Sequence, residues 1–101
     1  MTEHANYKYE NQDVELADFF RAMALPARVS IIKVLLSKDD WIVGSQFNVL
    51  PLTDKVIEKH LEALKAVDLV FKMKKNGITF YKLNLEIFKY MSSHFDALLK
   101  N

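Results

Sequence analysis

Cysteine is absent from this 101-residue sequence. A disulfide framework and thiolate metal ligands are therefore excluded, and the composition suits a reducing compartment. Glycine and proline are nearly absent too, with two of each. Such sparse punctuation favours a helix-rich fold. No apolar run approaches the roughly 20 residues needed to cross a bilayer. The polar opening MTEHANYKYENQD lacks the apolar segment of a signal peptide. A cytoplasmic protein with no membrane association is expected. Net charge is only +1, so any electrostatic argument must rest on local charge.

What is present is a core. Half the residues are apolar and 12% are aromatic, so disorder is not expected. The length fits one domain. A chain this short leaves a large share of its apolar surface exposed when alone, and self-association would offset that.

Residues 1–11 are polar and read as a flexible N-terminal arm, leaving 12–101 as a single domain. Leu16, Phe19, Phe20 and Met23 recur at helical spacing and predict a terminal helix within 12–25. Pro26 closes it and suits the first turn of a second helix, over 26–37. Val29, Ile32, Leu35 and Leu36 are expected to form that helix's inner stripe. After a polar break, 41–43 reads as a short strand and 44–50 as a short helix. Thr53 is a good N-cap for a helix over 53–67, with Ile57, Leu61 and Leu64 inward and Asp54, Lys55, Glu58, Lys59 and Glu62 outward. Asp68 stands where a helix end often turns left-handed. Two β-prone segments, 69–74 and 78–83, flank Asn76-Gly77, a strong hairpin signal because both positions tolerate positive φ. Asn84 can cap a last helix over 85–100. The expected fold is mainly α with a small β-hairpin wing: a winged helix-turn-helix, with a three-helix core and two terminal helices.

At this level the sequence resembles the ArsR-type winged-helix repressors. The resemblance spans roughly residues 16–84. RAMALPARVSIIKVLL is similar to the family's opening pattern through Ala22-Met23, Pro26, Arg28 and Ile31-Ile32. In VGSQFNVLPLTDKVIEKHLEALKAVDLV, Val43, Leu50, Leu52, Ile57, His60-Leu61, Leu64 and Leu69-Val70 fall in the family's register. KKNGITFYKLN resembles its wing. Four departures stand out. Glu58 occupies a position where the family carries a Ser that faces DNA. Gln46 and Phe47 replace a Leu-Ala pair, and Asp68 replaces a Gly. The Cys-containing metal motif is missing, which points to a member that does not sense metal.

The resemblance implies a homodimer on double-stranded DNA, with two recognition helices set about one turn apart, roughly 34 Å. On the helix, Thr53, Asp54, Lys55, Val56, Glu58 and Lys59 would meet bases or phosphates. On the wing, Lys72, Lys74, Lys75, Asn76 and Lys82 would track the backbone and release counterions. The plainer reading is a solvated mixed-charge helix face beside a lysine-guarded edge hairpin. Glu58 would repel phosphate, yet a carboxylate can also accept a hydrogen bond from cytosine N4. Arginine is scarce, with only Arg21 and Arg28. Modest specificity per half-site is therefore expected, with lysines supplying most of the affinity. Dimerisation is expected through Leu16, Phe19, Phe20, Met23, Phe88, Met91, Phe95 and Leu98, since aromatics and Met suit interface cores.

The remaining candidates read as structural. His60 is expected to be a satisfied, half-buried histidine, and Arg28 a bridge between elements. His94 stands near Asp96, but its only distant partner, His4, leaves no metal-binding set. Ser92-Ser93-His94 and Asp39-Asp40 do not form a catalytic site, and there is no phosphate loop. The expectation is a non-enzymatic transcriptional repressor, without cofactor or metal, relieved if at all by a small apolar effector or a protein inducer. The alternative is a winged helix used as a protein-interaction module.

Overall fold

A computed structural model describes residues 8–38 and 40–100. Among these residues, four α-helices accompany one small sheet: α1 (Asn11–Met23), α2 (Pro26–Lys38), α3 (Asp54–Ala66) and α4 (Leu85–Leu99). The strands are β1 (Ile42–Val43), β2 (Val70–Lys75) and β3 (Ile78–Leu83), and a 3₁₀ helix (Gly44–Val49) follows β1. The antiparallel sheet has the order β1-β3-β2, so the short strand lies beside the far arm of the hairpin. The chain therefore has the expected winged helix-turn-helix architecture. Most of the expected arm, residues 1–7, lies outside the described residues, as do His4 and Asp39; α1 begins at Asn11.

Local chemistry sets most of the boundaries. Pro26 occupies the first helical position of α2, where a missing N–H costs nothing. The Gln46 side-chain oxygen accepts a hydrogen bond from the Val43 N–H at 3.0 Å, which winds the chain into the 3₁₀ helix. Asn76 and Gly77 have φ of 53° and 77°, the paired left-handed residues of a two-residue hairpin turn. Asp68 also sits in the left-handed region, at φ 63°, and ends the passage out of α3. Asn84 joins both ends of the hairpin. Its oxygen accepts from the Ile87 N–H at 3.3 Å, capping α4, and its amide nitrogen donates to the Asp68 carbonyl at 2.9 Å.

The core gathers Ile31, Ile32, Leu35, Ile42, Phe47, Ile57, Leu61, Leu64, Leu69, Val70, Tyr81 and Leu83, joined by Leu16, Phe19, Ala22 and Met91 from the terminal helices. One expected stripe is corrected. In α2 the buried set is Ile31, Ile32 and Leu35, whereas Val29 and Leu36 are exposed. This helix is apolar on several sides, so periodicity alone leaves its rotation open. Residues 29 and 36 stand seven apart on one line of the helix, outside the buried row of Ile31, Ile32 and Leu35.

Candidate nucleic-acid interface

The helix α3 is held by one face and one end. Ile57, Leu61 and Leu64 are buried, and the Thr53 hydroxyl oxygen accepts from the Val56 N–H at 3.3 Å. The cap satisfies an amide that the helix itself leaves without a partner. Arg28 supplies a third tie. Its Nε donates to His60 Nδ1 at 3.2 Å, and its Nη1 donates to the Ala22 carbonyl at 3.3 Å. His60 must then carry its proton on Nε2. Burial, with the nearby charges of Arg28 and Lys59, pushes the imidazole below its ordinary pKa. Arg28 and His60 thus have the structural roles expected of them.

The opposite face of α3 is open. Asp54, Lys55, Val56, Glu58, Lys59 and Glu62 are all exposed, as is Thr53 at the start. Asp54, Glu58 and Glu62 recur every fourth residue and form an acidic line along the helix. Asp54 and Glu58 border a groove of about 480 Å³ between α3, the 3₁₀ helix and the hairpin. Ser45, Asn48, Thr79 and Tyr81 also border it. Tyr81 is anchored edge-on against Phe47, with ring centroids 6.2 Å apart, and burial raises its phenol above the ordinary value.

The register of the hairpin divides its lysines. Lys72 pairs with Tyr81 and Lys74 with Thr79, while Phe71 pairs with Lys82 and Lys75 with Ile78. Side chains alternate along a strand, so Lys72 and Lys74 share the Tyr81 face, toward α3. Lys75 and Lys82 lie on the other face. The four lysines expected on the wing therefore stand in different settings. The Lys72 Nζ donates to Glu62 Oε2 at 3.2 Å, bridging hairpin and helix, and this hydrogen bond raises the lysine's pKa. Lys82 is half-buried and lines a cavity of about 70 Å³ with Leu35, Leu36 and Asp40, on the far side of the sheet from α3. Lys74, Lys75 and Asn76 are exposed at the hairpin tip. The exposed cations at this end are thus Lys55 and Lys59 on α3 and Lys74 and Lys75 at the hairpin tip, the last two on opposite faces of the hairpin. The alternation of the strands carried the signal for this division. The Glu62–Lys72 bridge, ten residues apart in sequence, left no such signal.

The residues expected at a dimer interface also divide. Leu16, Phe19 and Met91 are buried inside their own chain, and Met23 and Phe88 are half-buried. Phe19 packs edge-on against Phe88 with centroids 5.9 Å apart, filling the seam between α1 and α4. Phe20, Phe95 and Leu98 remain exposed, and Phe20 meets Phe95 edge-on at 5.0 Å. Val14, Tyr90 and Leu99 on the same helices are exposed as well and were not anticipated. His94 lies parallel to the Tyr90 ring at 6.2 Å. Among the described residues, no three His, Asp or Glu side chains converge as metal ligands. No helix among them is long and apolar enough to cross a membrane.

No protein-family model and no curated protein matches this sequence. Solved structures do match it. An ArsR-like transcriptional regulator from Rhodococcus superposes with a TM-score of 0.71 at 23% identity, covering 88% of this chain and 83% of that one. HlyU from Vibrio cholerae gives 0.70 at 24% identity, over 88% and 97% of the two chains. NolR from Sinorhizobium fredii gives 0.63 at 23%, over 94% and 97%. The chain has the fold of the ArsR-type winged-helix regulators.

Proposed function

We propose that this protein is a non-enzymatic transcriptional regulator that binds double-stranded DNA as a homodimer. The observation that carries the proposal is the open face of α3 standing beside the exposed hairpin tip. A convex helix with a basic hairpin at its flank fits a major groove and the adjoining backbone. Lys55, Val56, Glu58 and Lys59 face the groove, while Lys74, Lys75 and Asn76 reach flanking phosphate or the minor groove. The fold agrees with this role, since its solved relatives are described as regulators.

Dimerisation follows from the apolar rim of α1 and α4. Phe20, Phe95 and Leu98 are too exposed to be part of the monomer's own core, and a second copy would bury them. Two protomers would present about eight lysines to one duplex, which sets a slope of log affinity against log salt near −7. The protein would repress by occupying a promoter, in the cytoplasm. A small apolar molecule or a partner protein would release it.

The test is a titration of the full chain against the DNA upstream of its own gene at two salt concentrations, with light scattering in the same buffer. Salt-sensitive binding by a dimer is expected. Salt-independent binding, or none, refutes the proposal. A second reading has one observation in its favour: the acidic line of α3 and the neutralised Lys72 weaken the field that a duplex would meet. In that case the same face docks a protein, and DNA leaves it unaffected.

A further inference from the structure

We infer that Glu58 is a base-specifying residue, which accepts a hydrogen bond from the N4 amino group of a cytosine in the major groove. The inference rests on the DNA-binding reading above and deepens it. It begins with what cannot read a G·C pair here. Arginine bidentate to guanine is the common solution, but this chain has only two arginines. Arg21 pairs with Asp18 on α1 at 2.7 Å, and Arg28 is committed to His60 and the Ala22 carbonyl. Neither lies on the exposed face of α3. Without an arginine, a G·C pair can be recognised from guanine by a lysine or by a weaker donor such as Thr53 or Asn76, or from its cytosine edge, which presents a donor and calls for an acceptor.

Three carboxylates lie on the open side of α3, and only one is placed for that task. Glu62 is engaged by Lys72. Asp54 is a short side chain in the first helical turn, where a carboxylate stabilises the helix N-terminus. Glu58 stands one turn further on, and among the described residues it has no hydrogen-bond or ion-pair partner. Ionised, it is an acceptor only. Its charge is tempered by its neighbours. Lys55 precedes it by three residues on the same face, and Lys72 is close enough across the groove to interact with it electrostatically. The Glu62–Lys72 bridge holds that lysine in place. Glu58 can therefore approach a phosphate-lined groove with less repulsion than an isolated carboxylate would meet.

The experiment is a selection of bound duplexes from a randomised library by the full-length protein and by its Glu58→Gln and Glu58→Ala variants, at one salt concentration. Circular dichroism confirms that the variants fold. The wild type should enrich a cytosine at one position of each half-site. Glu58→Gln should switch that position to adenine, because an amide can both accept from N6 and donate to N7. Its affinity for the original site should fall about ten-fold, the worth of one base-reading contact. Glu58→Ala should lose the preference without gaining another. The inference is overturned if Glu58→Gln binds all sequences more tightly with the motif unchanged, since Glu58 then only repels phosphate. If the wild type enriches no motif, the regulator reading itself fails, and the role of Glu58 fails with it.

Discussion

The α3–hairpin end and the α1–α4 end of this molecule expose opposite kinds of surface and are held in place by different means. At the α3 end, side-chain hydrogen bonds fix each piece: Thr53 to Val56, Arg28 to His60, Asn84 to Asp68 and Lys72 to Glu62. Its outer surface is charged and complete in water. At the other end, α1 and α4 are joined chiefly by apolar packing, Phe19 on Phe88 and Phe20 on Phe95, and the rim of that seam remains exposed. Charged residues are satisfied by solvent until a partner arrives. An exposed aromatic row has no such substitute, so the apolar end depends more on a second chain.

Two adjacent aromatics give the sharpest contrast. Phe19 is buried and Phe20 is 40% exposed. Phe19→Ala should cost the fold about 3–5 kcal/mol through the cavity it leaves, read by denaturant unfolding. Phe20→Ala should cost the monomer only about 1 kcal/mol while shifting light scattering toward the monomer. Equal losses of fold stability would erase the distinction between core and rim.

At the charged end, the lysines should differ in the same measurable way. Changing both Lys74 and Lys75 to Ala removes about four phosphate contacts from a dimer and should flatten the salt slope by roughly 3–4 units. Glu62→Gln should steepen it, because Lys72 is released from its bridge. The bridge is exposed, so its loss should change stability by no more than about 1 kcal/mol. If neither substitution moves the slope, the hairpin does not meet phosphate.

The ties behind α3 should have smaller effects. Thr53→Ala should destabilise the protein by about 1 kcal/mol, and weaken DNA binding by loosening the helix start. His60 should give a weak pH dependence. Its pKa is lowered in the folded chain, so the unfolded chain binds the proton more readily. Stability from this group is therefore complete above the ordinary histidine pKa of 6.5 and declines as pH falls through that value toward the lowered one. Urea unfolding of the wild type and of His60→Gln, compared at neutral and acidic pH, reads the difference. A fall in stability of the same size in both chains would leave His60 out of it.

Much of the architecture was legible from local signals. Thr53, Asn76-Gly77 and Asp68, and Asn84 in its cap of α4, each act within a few residues of themselves, through a cap or a left-handed turn. Their positions therefore bound α3, the hairpin and α4 whatever lies elsewhere in the chain. The inward row Ile57, Leu61 and Leu64 was equally plain, because the other faces of that helix are charged. The candidate interface was only half legible. Its residue types and their order could be read, but not which lysines were free.

Sequence alone thus determined the element order, the turns and the amphipathic face of α3, since each depends on backbone preference and short-range spacing. Tertiary structure decided the rest. It chose which of the several apolar sides of α2 turned inward, so that Ile31 is buried while Val29 and Leu36 are not. It paired Lys72 with Glu62 and separated the buried Phe19 from the exposed Phe20. Each of these outcomes depends on surfaces brought together from distant parts of the chain. Burial and charge pairing belong to such contacts, which residue spacing does not encode.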